Sequence, residues 1–284
     1  MEYGITRCRT ALSLSRLPGL TYSLNPYFGC EHGCLYCYSP SVFRNEDVAR
    51  TWGNFVKAKS NIADVLKKEL PHKAKGTVGV STVTDPYQPI ESRLQLTRTC
   101  LETLKKHNFK VSIQTKSSLA LRDIDLISGP GFEIGVTLTT TDPDLASKIE
   151  PRAAPPDARR QVLASYFEKK VETWIFLGPI IPHLNDHQEN LTQIVRIAKA
   201  TNSRLLFDKL NLRPWVKENL TPFLTREAPQ LLNDLPVLLS EKSGYWNRTA
   251  AGIESLCREL GVRCEFAFAP SLPAKTCNTK GLCL

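Results

Sequence analysis

NPYFGCEHGCLYCYSP, residues 25–40, places Cys30, Cys34 and Cys37 in C-x3-C-x2-C spacing. Three thiolates in so short a loop can each ligate one iron of a [4Fe–4S] cluster. The fourth iron then has no protein ligand in that run and is open to a small molecule that can receive an electron. Zinc is a competing reading, although zinc usually pairs C-x2-C with a second Cys or His pair. His32 lies inside the loop, but its flanks turn it away from a metal shared by Cys30 and Cys34. A chance meeting of structural cysteines is the third reading, in a chain with nine of them. Gly29 and Gly33 let the loop wrap tightly and bring backbone N–H groups towards sulfur. Tyr36, just before the last cysteine, offers an aromatic face to a nucleobase-like ligand.

Outward from this loop the chain alternates short β runs with helical patterns. Strands are expected at residues 21–28, 76–81, 109–115, 132–139, 171–178 and 203–210. Most are near-continuously apolar, which suits strands buried on both faces of a parallel sheet. Between them lie the helical runs NIADVLKKEL, RLQLTRTCLETLKKH, SLALRDIDLIS, PPDARRQVLASYFEKK and NDHQENLTQIVRIAKA. Pro155, Pro156 and Asp157 mark a helix start. Six β units point to an α/β protein with a partial (β/α)6 TIM-type barrel; an open doubly wound sheet is the alternative. Barrel active sites form where the βα loops converge at the C-terminal strand ends. The cysteine loop, Thr84–Tyr87, Thr115–Ser117, Thr137 with Thr139, and Pro179–Ile180 all fall on that rim.

Composition bounds the function class. The 284 residues are 42% hydrophobic and 23% charged, ordinary for a globular domain. No stretch is apolar enough for a membrane span, and MEYGITRCRTALS lacks the pattern of a signal peptide. A cytoplasmic location is expected, where cysteines are more often thiols or metal ligands than disulfides. Net charge is +9, from 37 basic and 28 acidic residues. Lys105, Lys106, Lys110, Lys116 and Arg122 form one basic group, and Lys57, Lys59, Lys67, Lys68, Lys73 and Lys75 another. Such groups track phosphates or are simply solvated faces.

The C-x3-C-x2-C loop with its aromatic resembles the signature of the radical S-adenosylmethionine (SAM) superfamily. TDPYQPIES (84–92), LTRTCLETL (96–104), TKSSLALRDID (115–125), IEPRAAPPDARR (149–160) and LGPIIPHLND (177–186) follow in order. Together they resemble the spore photoproduct lyase-like branch over about residues 20–215, and this favours the barrel. The resemblance implies a [4Fe–4S] cluster whose open iron chelates SAM. It also implies an external electron donor such as ferredoxin or flavodoxin, and cleavage to methionine and a 5′-deoxyadenosyl radical that takes hydrogen from substrate. It gives Lys116 the SAM carboxylate, against a solvated surface lysine. Ser81, Thr82, Thr137 and Thr139 become candidates for the methionine or ribose groups, against plain strand packing. In the lyase a hydrogen-donating cysteine lies three residues before the aspartate that matches Asp85; Thr82 stands there in this chain. The implied substrate is therefore something other than the photoproduct, with a nucleic acid as one candidate.

Asp85 starts a turn with Pro86, as structure or as site; Arg122–Asp123 reads as a rim ion pair or an ordinary helix pair, and Glu150–Arg152 as a substrate contact or loop scaffolding. The chain divides into an N-terminal segment (1–20), the barrel (21–215) and a C-terminal extension (216–284), helical over 216–240 and 252–260 with a strand at 263–269. In that extension Cys257, Cys264, Cys277 and Cys283 would suffice for a second Fe–S cluster or a zinc ion, while Cys257 also reads as a helix core residue. Cys8 and Cys100 read as packing residues. Two other function classes remain: a non-catalytic Fe–S or zinc binding or sensing protein, and a nucleic-acid-binding module. SAM binding separates the first from an enzyme.

Overall fold

The computed structural model describes residues 1–268. Among them the strands are β1 (Glu2–Thr6), β2 (Leu12–Leu14), β3 (Tyr22–Leu24), β4 (Tyr27–Gly29), β5 (Phe55–Lys59), β6 (Thr77–Val80), β7 (Lys110–Thr115), β8 (Phe132–Thr137), β9 (Glu172–Ile180), β10 (Arg204–Lys209) and β11 (Cys264–Phe266). The main sheet runs β11-β10-β9-β8-β7-β6-β3-β2. Every pair from β3 to β11 is parallel, and only β2 runs antiparallel to its neighbour. This is the partial α/β barrel expected. β11 extends it beyond the sixth parallel strand, and the helix Tyr245–Leu260 before it puts Ile253 and Cys257 into the same core. No described helix is long and apolar enough to cross a membrane.

The helices cover the outer face. In Leu96–Lys106 the buried residues are Thr97, Cys100, Leu101 and Leu104, the three-and-four spacing of one helical face. They join Val111, Ile113, Ile134, Val136, Ile175, Leu205 and Phe207 in one core. Truncating such a buried leucine to alanine costs about 2–5 kcal/mol. The inner face departs from the expectation of strands apolar on both sides. Ser112, Gln114, Glu133, Gly135, Thr137, Trp174, Phe176, Arg204 and Leu206 alternate with the core positions, and register puts Ser112 opposite Glu133, Gln114 opposite Gly135 and Trp174 opposite Arg204. The inside of this barrel is polar and aromatic.

Three further boundaries differ. The run TYSLNPYF is two strands, not one: β3 ends before Asn25–Pro26, and β4 joins a separate sheet, β1-β5-β4. Proline has no N–H for the ladder and restricts the residue before it, so the chain turns there. RLQLTRTCLETLKKH breaks at Gln95, whose φ of 50° separates Glu91–Leu94 from Leu96–Lys106. SLALRDIDLIS forms a 3-10 helix, Ser118–Asp123, rather than an α-helix.

Candidate active site

The cysteine loop leaves β4 and is pinned to the barrel rim from three sides. Leu35 N–H donates to Ile149 O at 2.9 Å, and Thr84 Oγ1 donates to Gly29 O at 2.5 Å. Arg152 donates to the carbonyls of Glu31 and Gly53. Gly33 (φ 60°) and Gly53 (φ 89°) lie against that guanidinium, and a Cβ on Gly33 would come 2.6 Å from Arg152 Nη2. Both positions need glycine for conformation and for space. Arg152 is thus a scaffold residue of the loop.

Cys30, Cys34 and Cys37 are free thiols, the first two buried and the third half-buried. Burial, then the neighbouring charges of Asp85, Cys34 and Cys37, push the Cys30 thiol well above its ordinary value. Burial likewise pushes Cys34 up to about 12, Lys116 working against it and Glu150 and Cys37 with it. The three thiols lie close enough on one loop for their charges to act on one another. Among the described residues no three Cys, His, Asp or Glu side chains are grouped to hold a single metal ion. A cluster asks less, because each thiolate meets its own iron. Bound iron also supplies the positive charge that lets such thiols ionise. The donor set fits a [4Fe–4S] cluster.

Asp85 ties this loop to two others. It accepts from Tyr87 N–H at 2.9 Å, Thr115 Oγ1 at 2.7 Å and Lys116 N–H at 2.8 Å, and faces His32 Nδ1 at 3.4 Å. Burial would raise its carboxyl, but His32 and these hydrogen bonds outweigh it and hold it at about 2. Its structural role is therefore plain: it fastens the loops after β6 and β7 to the cysteine loop.

Below lies a buried polar chain. Tyr36 and Thr139 both donate to Glu150, Thr139 at 2.8 Å, and Arg159 Nη2 stands 2.5 Å from the other oxygen. Arg159 is 1% exposed and also donates to Ala154 O and Thr137 O. Burial raises the Glu150 carboxyl, but the charges of Arg159 and Lys116 and the bonds it accepts bring it below its ordinary value. The Tyr36 hydroxyl is committed to this chain, and Lys116 Nζ lies 5.7 Å from its ring centre.

The other sequence candidates fall around the same rim. Lys116 is half-buried and makes no ion pair within 4.0 Å among the described residues. Burial lowers its ammonium, yet Cys34, Glu150 and Asp85 outweigh that and raise it. Ser81 is buried at φ 64°, with no hydrogen-bond partner for its hydroxyl. Thr82 is half-buried and accepts from Asn25 Nδ2 at 3.4 Å, while its carbonyl accepts from Tyr38. Thr137 ends β8 and accepts from Gln114 at 3.0 Å; Thr139 lies two residues beyond the strand. An orphaned hydroxyl and an unpaired ammonium beside Cys34 are the groups a zwitterionic ligand needs. Arg159 and Thr139's partner Glu150 escaped the sequence reading as a network, because nothing local pairs residues nine apart across a loop.

Cys257 lies buried on its helix and Cys264 half-buried on β11, near enough for each to shift the other's thiol. Cys277 and Cys283 lie outside the described residues. Cys100 is fully buried in the main core and Cys8 packs against it.

The model of the radical SAM superfamily matches residues 24–195. The chain belongs to the radical SAM superfamily. An uncharacterized protein of Methanocaldococcus jannaschii is 32% identical over 208 residues, covering 73% of this chain and 77% of that one. One from Mycobacterium tuberculosis is 30% identical over 239 residues, covering 80% and 70%. Among solved structures, spore photoproduct lyase complexed with dinucleoside spore photoproduct superposes with TM-score 0.69 at 13% identity, covering 94% of this chain and 82% of the lyase. A radical SAM methyltransferase from Sphaerobacter thermophilus gives 0.54 at 16% identity, covering 86% and 65%. At those identities the likeness is one of fold. This radical SAM enzyme therefore carries the lyase's architecture, and the family implies the cluster and SAM.

Proposed function

We propose that this radical SAM enzyme holds a [4Fe–4S] cluster on Cys30, Cys34 and Cys37 and abstracts hydrogen from a nucleic-acid substrate at the inner face of the barrel. When bound, cluster and SAM supply reductive cleavage of the C5′–S bond, giving methionine and a 5′-deoxyadenosyl radical that takes the hydrogen. The observation that carries the reading is three free thiols on one rim loop with the unpaired Lys116 beside Cys34. Lys116 holds the SAM carboxylate, with the free Ser81 hydroxyl as a further donor nearby. Thr82, Thr137 and Thr139 shape the pocket; the last is held by Glu150. Asp85 and Arg152 keep the loop wrapped and its sulfurs away from water. A ferredoxin or flavodoxin delivers the electron.

The nucleic-acid part rests on other grounds. The basic groups of the sequence do not gather at the rim: Lys105, Lys106 and Lys110 lie at the far end of β7 from Lys116. What the rim does offer is Tyr38, 40% exposed next to Cys37, with the Arg213 guanidinium 5.9 Å from its ring centre. An aromatic with a cation beside it suits a base and its phosphate. The lyase of like fold is complexed with a dinucleoside photoproduct.

Anaerobic reconstitution, then SAM and a reductant, should yield 5′-deoxyadenosine. The triple variant Cys30→Ala, Cys34→Ala, Cys37→Ala should yield none. Cleavage retained by that variant would sink the assignment.

A further inference from the structure

Two side chains at the upper inner face lie outside the set assigned above to the cluster and SAM. Phe176 of β9 is half-buried, and its ring lies over Gly178, where a Cβ would meet ring carbons at 2.5 and 2.7 Å. The flat hydrogen face of Gly178 keeps the ring lying down as a platform. Beside it the β9–β10 register slips: Phe207 pairs with Leu177, but Lys209 pairs with Ile180. The extra residue is on β9, where Gly178 and Pro179 oppose the single Asp208 of β10, and such a bulge bends its strand and raises the local twist beside the residue it faces. Phe207 is fully buried on the helix side against Trp246 and Phe266, so Asp208 belongs to the opposite, inner face.

Asp208 is half-buried, and among the described residues it makes no ion pair. Its carboxylate accepts only from the adjacent Lys209 N–H, at 2.8 Å. Burial pushes its carboxyl up, with that N–H and the Lys209 charge pulling the other way. The contrast is Glu133, which lies with Glu172 at the lower end of the inner face. Glu133 is already engaged by Arg204 at 2.7 Å and Ser112 at 2.6 Å. Asp208 is the carboxylate at the upper end of that face, and it keeps acceptor capacity for a ligand.

A carboxylate offers two acceptors side by side and no donor. Guanine alone among the DNA bases presents two adjacent N–H donors on its Watson–Crick edge, at N1 and N2. Thymine sets one donor between two acceptors, and adenine and cytosine each set an amino donor beside a ring acceptor, which would face a carboxylate oxygen. We infer that the barrel takes up an unstacked guanine base, lying on Phe176 and read through its N1–H and N2–H by Asp208. This deepens the nucleic-acid reading above and rests on it. To reach the inner face the base must be single-stranded or flipped out, and Tyr38 with Arg213 at the mouth is placed to hold the neighbouring nucleotide.

The test is binding, not turnover. A fluorescently labelled short oligothymidylate carrying one central dG, deoxyinosine, dA, dC or dT is titrated anaerobically into the reconstituted protein without SAM. The central dG should bind about fivefold or more tighter than the all-thymidine strand. Deoxyinosine lacks the N2 amine and should lose part of that gain. Asp208→Asn, which replaces one acceptor by a donor, should abolish the dG preference, so that the dG strand binds no tighter than the all-thymidine strand. Phe176→Leu should weaken all five strands together, by about tenfold. Equal affinity for all five strands, a uniform loss in Asp208→Asn, or no oligonucleotide binding at all overturns the inference. SAM cleavage is measured separately on the wild-type protein without nucleic acid, so the two readings fail independently.

Discussion

Lys116 shows how far a single residue can be carried from its neighbours. Its ammonium is half-buried, stands 5.7 Å from the Tyr36 ring centre, and is flanked by Cys34, Glu150 and Asp85 without pairing with any of them. A cation left half-desolvated in a folded protein is costly unless an anion completes its surroundings. The SAM carboxylate is of the right charge and would approach from the cysteine side. Lys116→Ala should therefore weaken SAM binding by about 1.5–3 kcal/mol, tenfold or more, by the usual worth of a charge-assisted hydrogen bond. The iron–sulfur absorbance should stay, because the Lys116 bonds that anchor the loop are made by its backbone, which alanine keeps. An unchanged SAM dissociation constant would return Lys116 to the role of a solvated lysine. Tyr36 is fixed by the bond of its hydroxyl to Glu150 inside the protein, which holds the ring in one orientation.

At the scale of elements, the loops after β6 and β7 are locked by a buried ionic cluster. Glu91, fully buried, accepts from Tyr27 at 2.5 Å, from the Thr97 N–H at 3.0 Å and from Arg122 at 2.8 Å. Asp123, also fully buried, accepts from Tyr87 at 3.1 Å and from Arg98 and Arg122 at 2.7 Å each. Arg122 and Asp123 are thus scaffold, holding the rim on which Lys116 and Asp85 sit. Glu91→Ala should cost about 3–5 kcal/mol, because it leaves the buried Tyr27 hydroxyl, the Thr97 N–H and one arm of Arg122 unpaired. Urea unfolding of the cluster-free protein measures this; a loss below about 1 kcal/mol would show the cluster to be ornamental. Such a network is hardly legible in sequence, since its members are up to 64 residues apart. The cysteine loop was legible because its chemistry depends on spacing within eight consecutive residues. The strands β6 to β10 were legible from local β-branched and apolar runs. β1 and β5 were not, because their pairing joins residues about fifty apart and β1 is mostly exposed. The polar inner face was missed for a related reason: Ser112, Gln114 and Glu133 break the apolar runs only every second residue, and that alternation decides which face is lined.

For the whole molecule the question is what the lyase-like architecture does with a different rim. The fold superposes on spore photoproduct lyase over nearly the entire chain. The resemblance places the lyase's hydrogen-donating cysteine at the position of Thr82. In this chain the stretch Ser81–Thr84 holds no thiol, and an alcohol O–H bond is much stronger than a thiol S–H bond, so none of the four hydroxyl or aliphatic groups can readily return hydrogen to a carbon radical. Cys100 cannot stand in. It is fully buried on the outer face, under the helix Leu96–Lys106, with the sheet between it and the barrel interior. Cys257 and Cys264 are likewise on the helix side, beyond β10. Dinucleotide spore photoproduct supplied with SAM and reductant should therefore give no multiple-turnover conversion to thymines, even where SAM is cleaved to 5′-deoxyadenosine. Thr82→Cys places a thiol on the segment after β6, and any conversion gained by that variant alone would locate the deficit at this residue. Multiple-turnover repair by the unaltered protein would mean that another group on the rim supplies the hydrogen and that Thr82 does not exclude the photoproduct.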